Sequence, residues 1–128
     1  MPYPCFVLTA LLCVLLAAEV SAGSATDFFV SDKGSDSWSG QLSAPNKSRT
    51  DGPFATLERA RDAVRALKDP KAQATVQIRR GTYFLNDTFV LGPLDTHPIT
   101  FTAYKGEKVT ISGGRPITGF KEVQVNGR

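Results

Sequence analysis

The chain has 128 residues, 15 Lys and Arg against 12 Asp and Glu, and a formal net charge of +3. That length leaves room for one domain. The positive charge is small and scattered, which argues against a nucleic-acid surface.

The first element in the chain is an apolar run. "CFVLTALLCVLLAA", Cys5 to Ala18, is broken only by Thr9. Crossing a bilayer takes about 20 apolar residues, and this run falls short. "EVSAG" follows, placing Val20 and Ala22 at the −3 and −1 positions of a cut before Gly23. Residues 1–22 therefore read as a secretory signal peptide. The departure is "MPYPC", which carries no Lys or Arg, so only the α-amino group is positive. An uncleaved anchor or a buried core helix is the alternative. The expected location is extracellular, or periplasmic in a Gram-negative cell, with no membrane contact after cleavage. Cys5 and Cys13 both leave with this segment, so packing without disulfides must hold the mature chain. Glu19 leaves too, raising the net charge to +4.

"DFFV", Asp27 to Val30, is a short apolar run between small polar residues, a strand pattern. A long loop follows, Ser31 to Gly52, rich in Ser, Gly, Asn and Asp. Loops of this length are functional or wrap a scaffold. A helix is expected over about 56–68. Thr56 suits the N-cap and Glu58 the first turn. Leu57, Ala60, Val64 and Leu67 recur at helical spacing, and Pro70 ends the pattern. Arg59, Arg61, Asp62, Arg65 and Lys68 cover the other face. They read as a solvated face with Glu58–Arg61 and Asp62–Arg65 pairs, in preference to an anion site.

From Thr75 the period changes to two. Val76 and Ile78, Tyr83 and Leu85, Phe89 and Leu91, Ile99, Phe101 and Ala103, and Val109 and Ile111 each alternate with polar or small residues. Short strands with one buried face are the all-β pattern. "VQIRRGTYFLNDTFVL" and "ITFTAYKGEKVTISGG" form a weak repeat. Equating Val76 with Ile99 and Phe89 with Val109 gives a period of 20 to 23 residues, suited to a parallel solenoid. A hairpin sandwich is the competitor, although Asn-Gly and Asp-Gly turns are absent from 76 to 112.

The order "FFVSDKGSDSWSG", "GPFATLERARDAV", "GTY", "ITFTAYKGE", "ISGG" resembles the N-terminal region of secreted right-handed parallel β-helix proteins of the pectin-lyase-like superfamily. The resemblance spans Asp27 to about Lys121. It is greatest to β-helix glycoside hydrolases. It implies a capping helix at the N-terminal end of a solenoid, with segment 23–74 preceding the first rungs at 75–128. It also implies a polysaccharide partner, no cofactor, and catalytic carboxylates on later rungs. Whether the chain is itself an enzyme stays open, and alone it is expected to be inactive. A non-catalytic carbohydrate-binding or surface-adhesion module and a polysaccharide lyase fragment are the alternatives.

A solenoid needs about three stacked repeats, and at most two are legible here. Ile99, Phe101, Val109 and Ile111 therefore need a cover. Missing C-terminal rungs, a capping partner, or the tail "RPITGFKEVQVNGR" folding back would each supply one.

Candidate site residues are few. Glycoside hydrolysis needs two carboxyl groups about 5 to 10 Å apart. Asp87 and Glu107 come nearest by spacing, but two solvated turn acids are the preferred reading, and no catalytic residue is assigned. His97 in "DTHPI" reads as a turn residue. Asp32 and Asp36 in "SDKGSDSWSG" are weak calcium candidates, lacking the usual density of oxygen ligands. Trp38 is the candidate sugar-stacking residue; the alternative is a lid on the apolar end of the first rung. Asn46-Lys47-Ser48 and Asn86-Asp87-Thr88 are glycosylation sequons in a eukaryotic host.

Overall fold

A computed structural model describes residues 25–123; the signal-peptide reading lies outside them. The alternation around Val76 forms the central strand. β2 (Gln73–Ile78) turns Ala74, Val76 and Ile78 inward, each at most 3% exposed. β1 (Ala25–Val30) lies parallel on one side, with Phe28 opposite Val76 and Val30 opposite Ile78. β4 (Ile99–Ala103) lies parallel on the other side, giving the order β1-β2-β4. A second sheet pairs β3 (Gly81–Phe84) with β5 (Val109–Ser112), also in parallel. The chain thus visits the first sheet and then the second, twice in the same order.

The register differs from the spacing expected above. Val76 pairs with Phe101, 25 residues on (76 to 101), whereas Ile99 faces Ala74. β5 pairs with Gly81–Phe84, 28 residues on (81 to 109), and not with the segment around Phe89. That segment forms no strand. It lies beside the helix, where Arg61 donates to the Val90 carbonyl at 3.1 Å and sits over the Phe89 ring. Phe89 packs edge-on against Phe101, 5.5 Å between centroids, so its apolar alternation reflects packing without a ladder. β2 begins at Gln73, so a boundary between 74 and 75 falls inside a strand.

α1 spans Leu57–Arg65, shorter than the expected 56–68. Thr56 is the N-cap, its hydroxyl accepting from the Arg59 N–H. The Ala66 N–H closes the far end on the Asp62 carbonyl and the Leu67 N–H on the Val64 carbonyl, so Leu67 and Lys68 lie beyond the helix. Leu57, Ala60 and Val64 are buried, and α1 packs against β1.

The arginine face is a set of ties more than a solvated surface. Arg59 donates to the Asp36 carbonyl at 3.1 Å. Arg65 grips Asp95 with two bonds, 2.7 and 2.8 Å, and meets Asp62 at 3.4 Å. Arg61 pairs with Asp62 at 2.9 Å; among the described residues no Glu58–Arg61 pair forms.

The Arg65 grip, with the Gly92 N–H bond, holds the Asp95 carboxyl down at about 2. A carboxyl lowered on folding stabilises above its ordinary value and loses that contribution as pH falls. The denaturation midpoint should therefore fall between about pH 4 and pH 2. Arg65→Met should flatten the fall, measured by urea titration across that range. An unchanged profile would count against the ion pair.

The two edges of the larger sheet differ. Beside β1 runs a parallel bridge to Phe54, whose N–H donates to the Phe29 carbonyl at 2.8 Å. The Ser31 N–H reaches the Phe54 carbonyl, and the Phe29 N–H reaches Gly40 at 2.7 Å. That edge is sealed. Beyond β4 no strand follows among the described residues. Burial falls accordingly: Ile99, Phe101 and Val109 are half-buried, and Ile111 is 50% exposed. Among the described residues the tail does not cover them, since Ile117, Phe120 and Val123 are themselves at least 76% exposed.

Candidate functional site

The loop from Ser31 to Thr56 is built by short polar staples. Asp36 accepts from the Ala55 and Thr56 N–H groups at 2.9 and 3.0 Å and from the Thr56 hydroxyl at 2.9 Å. Both its oxygens are used in fastening the loop to the start of α1. Asp51 takes the Ser39 N–H and hydroxyl at 2.8 and 2.9 Å. Those bonds, the Ser39 N–H first, hold its carboxyl below the ordinary value. Among the described residues no group of three or more His, Cys, Asp or Glu side chains forms.

Trp38 is half-buried. Its ring lies on Gly52: a Cβ there would come within 2.7 Å of the indole and 2.9 Å of the Pro45 Cα. Gly52 is thus required by close approach. The ring does not cover the apolar end of the first strands, as the lid reading expects. Phe54 does that, 1% exposed and 5.8 Å from the Phe28 ring. Gly40, at φ 72, lies against the face of Phe54.

Around Trp38 opens a hollow of about 760 Å³, lined by Lys33, Trp38, Pro45, Asn46, Lys47 and Arg49, with Gly34 and Ser35. Its size falls in the range of small-ligand sites, about 300–1,000 Å³. Asn46 shapes its wall: its amide donates to Thr50 at 3.0 Å, and its oxygen accepts the Thr50 N–H at 2.9 Å. The Arg49 N–H donates to the Asn46 carbonyl at 3.0 Å, holding Arg49 in the left-handed region at φ 53. The same amide nitrogen would carry a glycan at this sequon, so Asn46 is occupied structurally. Asn86 is exposed on the segment after β3.

Asp32 stands where three hollows meet. One, about 250 Å³, also contains Glu58, Tyr83 and Asn86. A second, about 690 Å³, contains Arg80, Glu107 and Lys108. The third, about 280 Å³, contains Arg79. Tyr83 is pushed up to about 12, chiefly by burial and then by the Asp32 charge. Its hydroxyl donates to the Arg79 carbonyl at 2.8 Å, so it stays a neutral structural donor.

Glu107 is gripped by Arg79 at 3.0 and 3.1 Å and accepts the Arg80 N–H at 2.7 Å. Arg79 foremost holds its carboxyl below the ordinary value. Asp87 lines a different hollow, with Phe89 and Gly113, so the spacing between Asp87 and Glu107 does not bring them to one site. His97 is buried, its Nε2 bonded to the Asp69 carbonyl at 3.0 Å and its Nδ1 without a partner among the described residues. It is a packed residue at the turn into β4.

Sequence reasoning identified Trp38 and missed the cations around it. Their signal was faint: Lys47 and Arg49 flank Ser48 inside "NKSRT", and Lys33 lies far from them along the chain. No family model, no curated protein and no solved structure matches the chain.

Proposed function

We propose that this chain is the N-terminal portion of a secreted right-handed parallel β-helix protein acting on polysaccharide, of the glycoside hydrolase class, with its catalytic rungs outside the chain. The supporting observation is the one-ended parallel stack. Each pass of the chain adds one strand to each sheet in parallel register. One edge is sealed by Phe54 and α1, while half-buried Phe101 and Val109 await a neighbour at the other. A repeat unit that cannot bury its own face needs another repeat or a cap against it.

The hollow at Trp38 favours a second reading, a non-catalytic carbohydrate-binding module. Two measurements test these readings. Reading the messenger past codon 128 should find an open frame with further strand-rich repeats; a stop codon there overturns the first reading. Assayed on a panel of plant and algal glycans, the 128-residue chain should release no reducing ends. Clear turnover would place the chemistry in this segment and overturn both readings.

A further inference from the structure

We infer that the hollow over Trp38 binds an acidic sugar unit, a uronate or a sulfated pyranose, with Trp38 as the stacking face and Lys33, Lys47 and Arg49 as the charge partners. This deepens the carbohydrate reading above and rests on it for the choice of a sugar. The charge selectivity stands on the hollow itself.

Three cations line this hollow and no carboxylate does. Elsewhere Arg61, Arg65 and Arg79 each meet an acid within 4 Å. Among the described residues Lys33, Lys47 and Arg49 form no such pair. The acid nearest Lys47 and Arg49 in sequence, Asp51, is turned into bonds with Ser39 and Gly52, and Asp32, the neighbour of Lys33, accepts from the Ser31 hydroxyl at 3.4 Å and does not line this hollow. Like charges gathered without a counter-ion repel one another, and an anion between them relieves that repulsion.

The aromatic ring narrows the class of anion. A bare phosphate or sulfate gains nothing from an indole, whereas a pyranose presents an apolar C–H face to it. The volume, about 760 Å³, accommodates a ring with its substituents. The wall is also rigid where it matters. Gly52 and Pro45 back the indole, and the Asn46 turn sets the backbone of Arg49 before any ligand arrives. Less side-chain ordering then remains to be done on binding. Selectivity follows from charge: a neutral sugar would leave the three cations unpaired.

Trp38 is the only tryptophan in the chain, so its fluorescence reports this hollow directly. The purified chain is titrated at low salt with oligogalacturonate, a sulfated galactan oligosaccharide, a neutral galactan oligosaccharide, and sodium sulfate alone. Saturable quenching is expected with one or both acidic oligosaccharides, weakening as salt screens the cations. Which acid quenches separates carboxylate from sulfate ester. The double variant Lys47→Gln/Arg49→Asn should weaken binding at least tenfold. Both positions are exposed, and Asn tolerates the left-handed backbone at 49, so the fold is retained. Trp38→Phe should weaken it less, keeping an aromatic face.

Equal binding of the neutral oligosaccharide would overturn the charge selectivity. Equal quenching by sulfate alone would overturn the sugar. Acidic binding that leaves Trp38 unquenched and survives the double variant would place the site elsewhere. A stop codon after 128 would end the β-helix reading while leaving these titrations intact, so the two failures are distinguishable.

Discussion

Phe54→Ala is expected to lower stability by about 3–5 kcal/mol, the range for emptying a buried aromatic site. Phe54 is 1% exposed, and its ring meets Phe28 on one side and the Arg59 guanidinium at 4.8 Å. Gly40 approaches so closely that no side chain fits between them. The backbone at 54 also seals the edge of β1 through its N–H and carbonyl. Removing the ring therefore opens a cavity behind an edge that only the backbone bonds at 54 still hold. A domain of this size holds only about 5–15 kcal/mol in all, so the variant would lose much of its stability. Urea denaturation of the variant, beside Phe120→Ala as a comparison, makes the measurement. Phe120 is 84% exposed and its loss should be near neutral. Equal midpoints for the two would show that the loop is not part of the core.

Arg79→Met should be the second most damaging change, costing about 1–2 kcal/mol through lost hydrogen bonds of a partly exposed cation. One guanidinium ties three separate parts of the chain. It takes both oxygens of Glu107, donates to the Ser43 carbonyl, and lies 4.7 Å over the Tyr104 ring. Methionine keeps much of the apolar stem but none of these bonds. The loop around Ser43 should detach first, seen as faster amide exchange at Gly40 and Gln41. Arg79→Lys should not restore it, because a single ammonium cannot satisfy the fork and the carbonyl together. Acid gives a second readout. With Glu107 held low by Arg79, stability is lost as pH drops below the ordinary carboxylate range, and the Met variant should lose less. Full rescue by lysine would show that only charge matters at this position.

The same contrast between local and distant partners runs through the whole chain. Period-two alternation correctly marked Val76, Ile78 and Tyr83 as inward, because a strand's facing is a local property of its pleat. Thr56 was legible as the N-cap for the same reason: the cap bonds a group three residues away. Phe89 shows the limit. Its alternation matched a strand, yet a strand exists only with a neighbour, and here Arg61 and Phe101 occupy that place.

Register was likewise beyond reach. Matching Val76 to Ile99 looked as good as matching it to Phe101, since both are apolar and two residues apart, hence on one face. The site divides in the same way. Trp38 stood out by residue type, but nothing near Asp36 in sequence pointed to its partners, the N–H groups about 20 residues ahead of it. By itself the sequence determined the helix cap, the inward faces and the aromatic candidate, all set within a few residues. Tertiary structure decided the pairing, the sealed and open edges, and the gathering of Lys33 with Lys47 and Arg49. Those depend on chain closures whose outcome only the packed whole selects.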